Sequence, residues 1–390
     1  ITIKIILTKN KGMSTLFFVS IILIVIGLIM IFSASSVAAV LQYKVAEYYF
    51  FERQLIFVIV GLFASIVIMN IPLSKYKKTS RFLIIGMIGV LFLLKSYGSI
   101  TNSAKSWLNI FGLFTLQPSE FAKTAIIVYL AFAYGNKKSY RGKYDALMPL
   151  VPCLMVAGLV AAEPDLGTAL IIGGITVLIF YSIPFGRSST ITYSKIIFVM
   201  VFFLGIFALM NSKVFLNEMQ AKRFNFSNPC DRYQEDTGYQ VCNGYIAINN
   251  GGIFGKGLGK STQKYLYLPE AHTDFIFPVI VEETGLIGGF FILFLYIFLL
   301  FKLLSIARGT KDLSGSIIAF GTFAYLLLHI VVNLGGILAL IPLTGVPLPF
   351  MSYGGSYMLN LIILLSLCQR VVIENKQRKY RSEFRKIMGG

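Results

Sequence analysis

Charge is what this sequence has least of. Asp, Glu, Lys and Arg make up 13% of its 390 residues, about half the share usual in a soluble domain. That excludes a soluble globule, which needs a polar surface to keep so much apolar area in water. Acid is scarcer than base, with 17 Asp and Glu against 35 Lys and Arg. Histidine is scarcer still: His272 and His329 are the only two. No His/Cys pair stands in metal-ligand register, and no nucleophile–His–acid spacing is visible. Tryptophan occurs once, at Trp107, and cysteine four times.

Apolar residues fill the space left by charge. The chain is 56% hydrophobic, with a mean hydropathy of +0.76, and composition of this kind belongs to a membrane protein. The net charge of +18 does not point to nucleic acid. The basic residues sit in short runs between apolar stretches, not in a patch interleaved with exposed aromatics.

Crossing about 30 Å of hydrocarbon takes roughly 17–25 apolar residues. Ten segments meet or approach that length: 14–36, 54–72, 80–95, 118–134, 147–162, 164–184, 193–211, 273–301, 315–341 and 350–372. The third and fifth are short. Lysine and arginine set the orientation. The N-terminal segment and alternate loops carry Lys4, Lys9, Lys11, Lys75, Lys77, Lys78, Arg81, Lys137, Lys138, Arg141, Lys143, Arg187, Lys195, Lys302, Arg308 and Lys311. The tail from Arg370 to Lys386 adds more. The short loops opposite hold only Lys44, Arg53, Lys95 and Lys105. The expected fold is therefore an all-α polytopic membrane protein of ten transmembrane helices with both termini cytoplasmic. One large extracellular loop, 212–272, lies between spans 7 and 8. Residues 1–13 read as a cytoplasmic segment, 14–372 as one membrane domain and 373–390 as a basic cytoplasmic tail. The first span is too long, and lacks the small-residue cleavage site, for a removed signal peptide. No internal repeat of the paired-half kind is visible.

Two cysteines, Cys153 and Cys368, fall within spans. Cys230 and Cys242 fall in the outer loop, 12 residues apart, where they either close a disulfide in an oxidising setting or stand as two thiols. The glycine-rich run Gly251–Gly259 resembles a phosphate loop only superficially. It follows no strand of a βαβ unit and lacks the GK[ST] ending, so its glycines are read as turn-formers in an ordered loop.

Carboxylates near hydrocarbon are costly and mark function by default. "LQPSEFAK" places Glu120 and Lys123 three apart on one helical face. "AEPDLGTAL" places Glu163 and Asp165 at a hairpin between spans. "LPEAHTDFIFPVIVEETG" places His272 and Asp274 at the mouth of the eighth span, with Glu282 and Glu283 two turns deeper. "VPLPFMSYGGS" brings Ser352, Gly354 and Gly355 to the start of the last span. Each has a plainer reading: a structural ion pair, a helix-capping aspartate, carboxylates bonded to neighbouring backbone, a carboxylate favoured by a helix N-terminus. Gathered on one side, they describe a polar cavity sunk into the bilayer. Such a cavity suits a substrate with a polar head and a lipid tail, as in glycosyl transfer between lipid-linked sugars.

The blocks "YLPEAHTDFIFPVIVEETGLIG", "LQPSEFAK", "EPDLGTAL" and "IPLTGVPLPFMSYGGS" resemble those of the SEDS family, the shape, elongation, division and sporulation proteins that include RodA, FtsW and SpoVE. The likeness runs from the first span to the last, and the HTDFIF and PLPxxSYGGS blocks look more like FtsW and SpoVE than RodA. The resemblance implies a peptidoglycan glycosyltransferase of the bacterial cytoplasmic membrane. It would polymerise lipid II at the outer face, in septal synthesis, beside a class B penicillin-binding protein and other divisome or elongasome membrane proteins. Lipid II and undecaprenyl-pyrophosphate-linked glycan are the substrates it implies, and nucleic acid is not among the partners.

By position the resemblance makes Asp274 the essential acid and general base. It also implies substrate contact for Trp107, Glu120, Lys123, Asp165, Arg223, His272, Glu283, Ser352, Gly354 and Gly355. Trp107 reads equally as an interfacial anchor. The resemblance fixes no cofactor, and a divalent cation, Mg2+ or Mn2+, is compatible with a departing pyrophosphate. Two departures stand out: Asn243-Gly244 where the family commonly has Gln-Ser, and Tyr357 where it usually has a second serine. A lipid II transporter and a non-catalytic scaffold that recruits a penicillin-binding protein remain open as other readings.

Overall fold

Peptide groups cannot stay unpaired in hydrocarbon, and a helix closes them within one segment. The computed structural model describes residues 11–97, 99–101, 104–110, 114–135, 146–163, 165–184, 199–200 and 226–388, and these are mostly helical. In chain order the helices are α1 Lys11–Leu41, α2 Tyr49–Asn70, α3 Leu73–Tyr97, α4 Pro118–Gly135, α5 Leu150–Ala161 and α6 Leu166–Ser182. They are followed by α7 Asp236–Gly251, α8 Ile276–Gly309, α9 Leu313–Ile337 and α10 Gly355–Met388. Five stretches are long and apolar enough to cross a membrane: Thr15–Leu41, Tyr49–Asn70, Ile276–Gly309, Leu313–Ile337 and Gly355–Phe384. Leu150–Ala161 and Leu166–Ser182 are apolar but shorter. The expected span 193–211 lies outside the described residues apart from 199–200.

Local sequence sets the helix limits. Pro72 cannot continue α2, and Ile71 before it is extended (ψ 124°), as the residue preceding a proline should be. Asp165 caps α6 by accepting from Thr168 N at 3.1 Å, and Asp312 caps α9 by accepting from Gly315 N at 3.2 Å. Both are ordinary N-cap carboxylates.

Two expectations are corrected. The chain is not wholly helical: β1 Ser99–Thr101, β2 Ala104–Ile110 and β3 Phe114–Leu116 form a small antiparallel sheet in the order β1-β2-β3. Leu108 pairs with Leu116 and Ile110 with Phe114. Short runs of alternating polar and apolar residues suit this ribbon, and β3 leads straight into Pro118 of α4. Second, the segment 273–301 is not one uninterrupted span. Helix α8 begins at Ile276 and breaks at Gly285, whose φ of 73° and ψ of 179° are not helical.

The break is spliced by the glycine-rich run. Lys256 N and Gly257 N donate to Glu282 O and Glu283 O, both at 2.9 Å, while Leu286 N donates to Gly252 O at 2.9 Å and Ile287 N to Ile253 O at 3.3 Å. The two backbones lie so close that a Cβ at Gly285 would stand 2.2 Å from Ile253 O. Glycine is needed there for its positive φ and for its missing side chain.

A second irregular stretch, 338–354, joins α9 to α10 from inside the bundle. Leu348, Phe350, Met351 and Ser352 are fully buried. Tyr296 of α8 donates its hydroxyl to Pro349 O. Such backbone is tolerated at membrane depth only when protein covers it. The opposite end of the bundle is tied differently. Arg370 of α10 donates to Met69 O at 2.9 Å, Glu374 accepts from Leu73 N at 2.7 Å, and Asn375 donates to Thr310 Oγ1 at 2.7 Å.

Candidate active site

Asp274 precedes α8 by two residues, is 8% exposed, and stands beside the 338–354 stretch. It is fixed through its main chain. Asn333, on the last full turn of α9, donates its amide at 2.8 Å to Asp274 O and at 2.8 Å to Val346 O. Two residues earlier, His272 O accepts from Tyr353 N at 2.9 Å. The 272–274 and 346–353 backbones are thus laced together. The carboxylate accepts from Thr273 Oγ1 at 3.2 Å. Its other oxygen faces Gly345, where a Cβ would lie 3.8 Å away. Gly345 has a φ of 69°, which glycine adopts without strain.

His272 is buried in an aromatic box, with ring centroids 4.6 Å from Phe50, 5.8 Å from Tyr353 and 6.3 Å from Tyr43. Burial pulls its pKa below the ordinary value, and Glu270 opposes the shift. The ring is therefore neutral near pH 7.

A polar chain leads inward from here. Lys123 donates to Glu120 Oε1 at 2.8 Å and lies 3.2 Å from His329 Nε2. An ammonium has no lone pair, so Nε2 is the acceptor and the imidazole proton resides on Nδ1. That nitrogen is 3.3 Å from Pro347 O, to which it donates. Glu120, Lys123 and His329 are all buried. Tyr325, His329 and Asn333 follow at intervals of four along one face of α9. Through them α9 holds Lys123, Pro347, Val346 and Asp274 in one frame; the Tyr325 ring lies 5.7 Å from the Lys123 ammonium.

The other anticipated residues fall into three groups. Near the same end, Asp165 caps α6 and accepts from Gln117 Nε2 at 3.1 Å, and the neighbouring Gly167 packs against Thr344. Trp107 is half-buried on β2, opposite Ser99. Ser352, Gly354 and Gly355 serve the backbone: Ser352 Oγ accepts from Leu348 N at 2.8 Å, Gly354 N donates to Gln54 Oε1 at 3.1 Å, and Gly355 lies against Phe57.

Glu283 points elsewhere. Its carboxylate accepts from Ser33 Oγ at 2.7 Å and from Lys264 Nζ at 3.0 Å. Glu282 beside it accepts from Lys256 at 2.9 Å, Thr262 at 2.7 Å and Ser261. The pair clamps the spliced loop. Arg223 lies outside the described residues. Cys230 and Cys242 are joined in a disulfide, which ties the turn Pro229–Arg232 to α7. Among the described residues no group of three or more His, Cys, Asp or Glu is placed to hold a metal.

Sequence reasoning missed His329 and Asn333 as parts of the site. Their signal was "HIVVN", two polar residues four apart in an otherwise apolar helix, and it has meaning only once Lys123 and Asp274 are known to lie on either side.

Comparison with known proteins places this architecture. The FtsW, RodA and SpoVE family model, described as "Cell cycle protein", matches residues 13–377. The Probable peptidoglycan glycosyltransferase FtsW of Bacillus subtilis is 37% identical over 380 residues, covering 94% of this chain and 93% of that one. Stage V sporulation protein E of the same organism is 35% identical over 361 residues, covering 90% and 94%. Among solved structures, a chain from a peptidoglycan synthase complex that coordinates polymerization and crosslinking superimposes with a TM-score of 0.73. It is 24% identical and covers 95% of this chain and 99% of that one. Rod shape determining protein RodA of Thermus thermophilus gives 0.66 at 23% identity, covering 95% and 98%. At that identity the structural likeness carries the fold, while the family model and the closer relatives carry the kinship: this chain belongs to the FtsW/RodA/SpoVE family of multi-pass membrane proteins.

Proposed function

We propose that this chain is a peptidoglycan glycosyltransferase that polymerises lipid II at the outer face of the bacterial cytoplasmic membrane, with Asp274 as general base. The observation that carries the reading is a buried carboxylate fixed through its backbone at one end of a membrane bundle. Lipid-anchored substrates place their sugars at that depth. Asp274 would take the proton of the C4 hydroxyl on the N-acetylglucosamine of lipid II as its oxygen bonds to the anomeric carbon of the growing glycan. The bond from that carbon to undecaprenyl pyrophosphate breaks, and its electron pair leaves with the pyrophosphate. General-base assistance of this kind contributes about 10²–10⁴-fold.

Lys123, held between Glu120 and His329, places fixed positive charge below the site. Asp165 and Trp107 belong to the same end of the bundle and are assigned to substrate contact, as is Arg223. A divalent ion such as Mg2+ or Mn2+ would take most of its ligands from substrate phosphates and water; chelator sensitivity tests for it.

The lysine and arginine distribution puts the Asp274 end outside and both termini in the cytoplasm. FtsW and Stage V sporulation protein E among the relatives favour septal synthesis over elongation. The synthase complex among the structural neighbours supports a cross-linking partner, here a class B penicillin-binding protein.

The test is polymerisation of fluorescent lipid II by the purified protein with its cognate partner, the partner's transpeptidase being blocked. Glycan ladders that vanish in Asp274→Asn and Asp274→Ala, with the complex intact, support the reading. Ladders unchanged by both substitutions remove Asp274 from the chemistry. No ladders from wild type with partner shift the weight to transport or scaffolding.

A further inference from the structure

The reactive carboxylate of the proposed mechanism sits on a short piece of chain with irregular backbone on either side. Helix α8 does not begin until Ile276, and the 344–347 segment facing Asp274 is irregular too. Left to themselves, two such segments drift relative to each other. One side chain spans the gap. Asn333 is 4% exposed, and both its hydrogen-bonding partners are carbonyl oxygens, Asp274 O and Val346 O at 2.8 Å each. Only the NH2 group can serve two carbonyls, so the orientation of the amide is settled by chemistry. Its Oδ1 has no hydrogen-bond partner among the described residues. The amide therefore makes its protein hydrogen bonds to the backbones on either side of the carboxylate.

We propose that Asn333 is a positioning residue for Asp274: by bridging the Asp274 and Val346 carbonyls, it sets where the carboxylate stands against the Thr344–Pro347 backbone. The inference rests on the general-base reading above. Asn333 acts through Asp274's main chain. Because it is anchored in α9, it also fixes that distance relative to His329 and Lys123, one turn and more below. Its loss leaves two buried carbonyls without a donor, and the 272–275 segment relaxes away from 344–347. A misplacement of about 1 Å at a reacting group costs about 100-fold in rate.

The experiment uses full-length protein in complex with its partner. Asn333→Leu keeps the volume and removes both donors. Asn333→Asp keeps the shape and places a carboxyl against the two carbonyls, and it stands in if the leucine variant does not fold. Asn333→Gln retains the amide. Polymerisation kinetics are read together with hydrogen exchange in peptides covering 268–276 and 343–353, and with binding of lipid II to the inactive Asp274→Asn background. The expected result is a fall in kcat of about 100-fold for Leu or Asp with KM within a few-fold. Exchange should rise in both peptides and nowhere else, lipid II binding should hold, and Gln should recover part of the rate.

Wild-type kinetics in both the Leu and the Asp variants overturn the proposal. So does a rate loss with unchanged exchange in 268–276, since Asn333 would then not act through Asp274. If wild type makes no glycan, the base reading itself has failed and the positioning role falls with it. The exchange data then show Asn333 as a packing element only, which separates that failure from the others.

Discussion

Asp274 and the Glu282–Glu283 pair lie on one short stretch of chain, yet the protein grips them in opposite ways. The glutamates are held by their carboxylates: Ser33 and Lys264 on one, Lys256, Thr262 and Ser261 on the other. Asp274 is held by its carbonyl, through Asn333. A carboxylate saturated by its own protein's hydroxyls and ammonium groups is part of the scaffold, and removing it breaks the loop it clamps. Asp274 is anchored through its backbone, while its carboxylate accepts from the adjacent Thr273 hydroxyl. Sequence puts all three in one acidic, apolar run; only the donors distinguish them.

The comparison can be broken at its strongest point first. Asp274→Asn should lower the polymerisation rate by about 10²–10⁴-fold while leaving the melting temperature of the purified protein unchanged. An equal loss of stability would put Asp274 in the scaffold class. Glu283→Ala should do the reverse. It strands the buried Lys264 ammonium at a cost of about 3–5 kcal/mol, read as a fall in thermal stability that Lys264→Met in the same chain reverses in large part. If the single variant melts like wild type, the clamp is not structural.

Gly285→Ala should come next, destabilising by more than about 1 kcal/mol, because φ is positive and the new Cβ meets Ile253 O at 2.2 Å. Protease cleavage in 252–264 would report the opened splice, and an uncut loop would count against it. The smallest effect belongs to His272. Burial depresses its folded pKa, so between that value and about 6.5 the unfolded chain binds more protons. Stability contributed by the neutral ring is present above pH 6.5 and is lost as pH falls, by at most about 1.4 kcal/mol per unit. Glu270 is the neighbour that opposes the shift. His272→Gln should flatten the slope of melting temperature between pH 7.5 and 5; an identical slope would remove His272 as its source.

Much of the helical layout was legible because run length and apolarity report whether a segment can close its own peptide groups. Tyr49–Asn70 and Leu313–Ile337 could be read in this way. Run length says nothing about where another part of the chain replaces those internal bonds. That is why the break at Gly285 was hidden inside "EETGLIG": its partners are contributed from 252–257, some thirty residues earlier. The same run of glycines does form turns, with positive φ at Gly252, Gly255, Gly257 and Gly259, and Gly251 and Gly255 also let two backbones touch. The sheet at 99–116 was missed because two of its three strands are only three residues long. At the site, the pairing of Lys123 with Glu120 was legible through spacing, and the role proposed for Asp274 rests on family resemblance. Asn333 was not legible, since a lone amide in an apolar helix has no meaning until both carbonyls it serves are in place.

Helix α10 runs for 34 residues from the end of the 338–354 segment to beyond the ties at the opposite end, a length of about 50 Å at 1.5 Å per residue. After Gly355 it contains neither proline nor glycine, so it has no joint at which to bend. Mechanically it is a rod. It connects the Ser352–Gly355 turn at one end of the bundle to the ties at Met69 and Thr310 at the other without a joint between them.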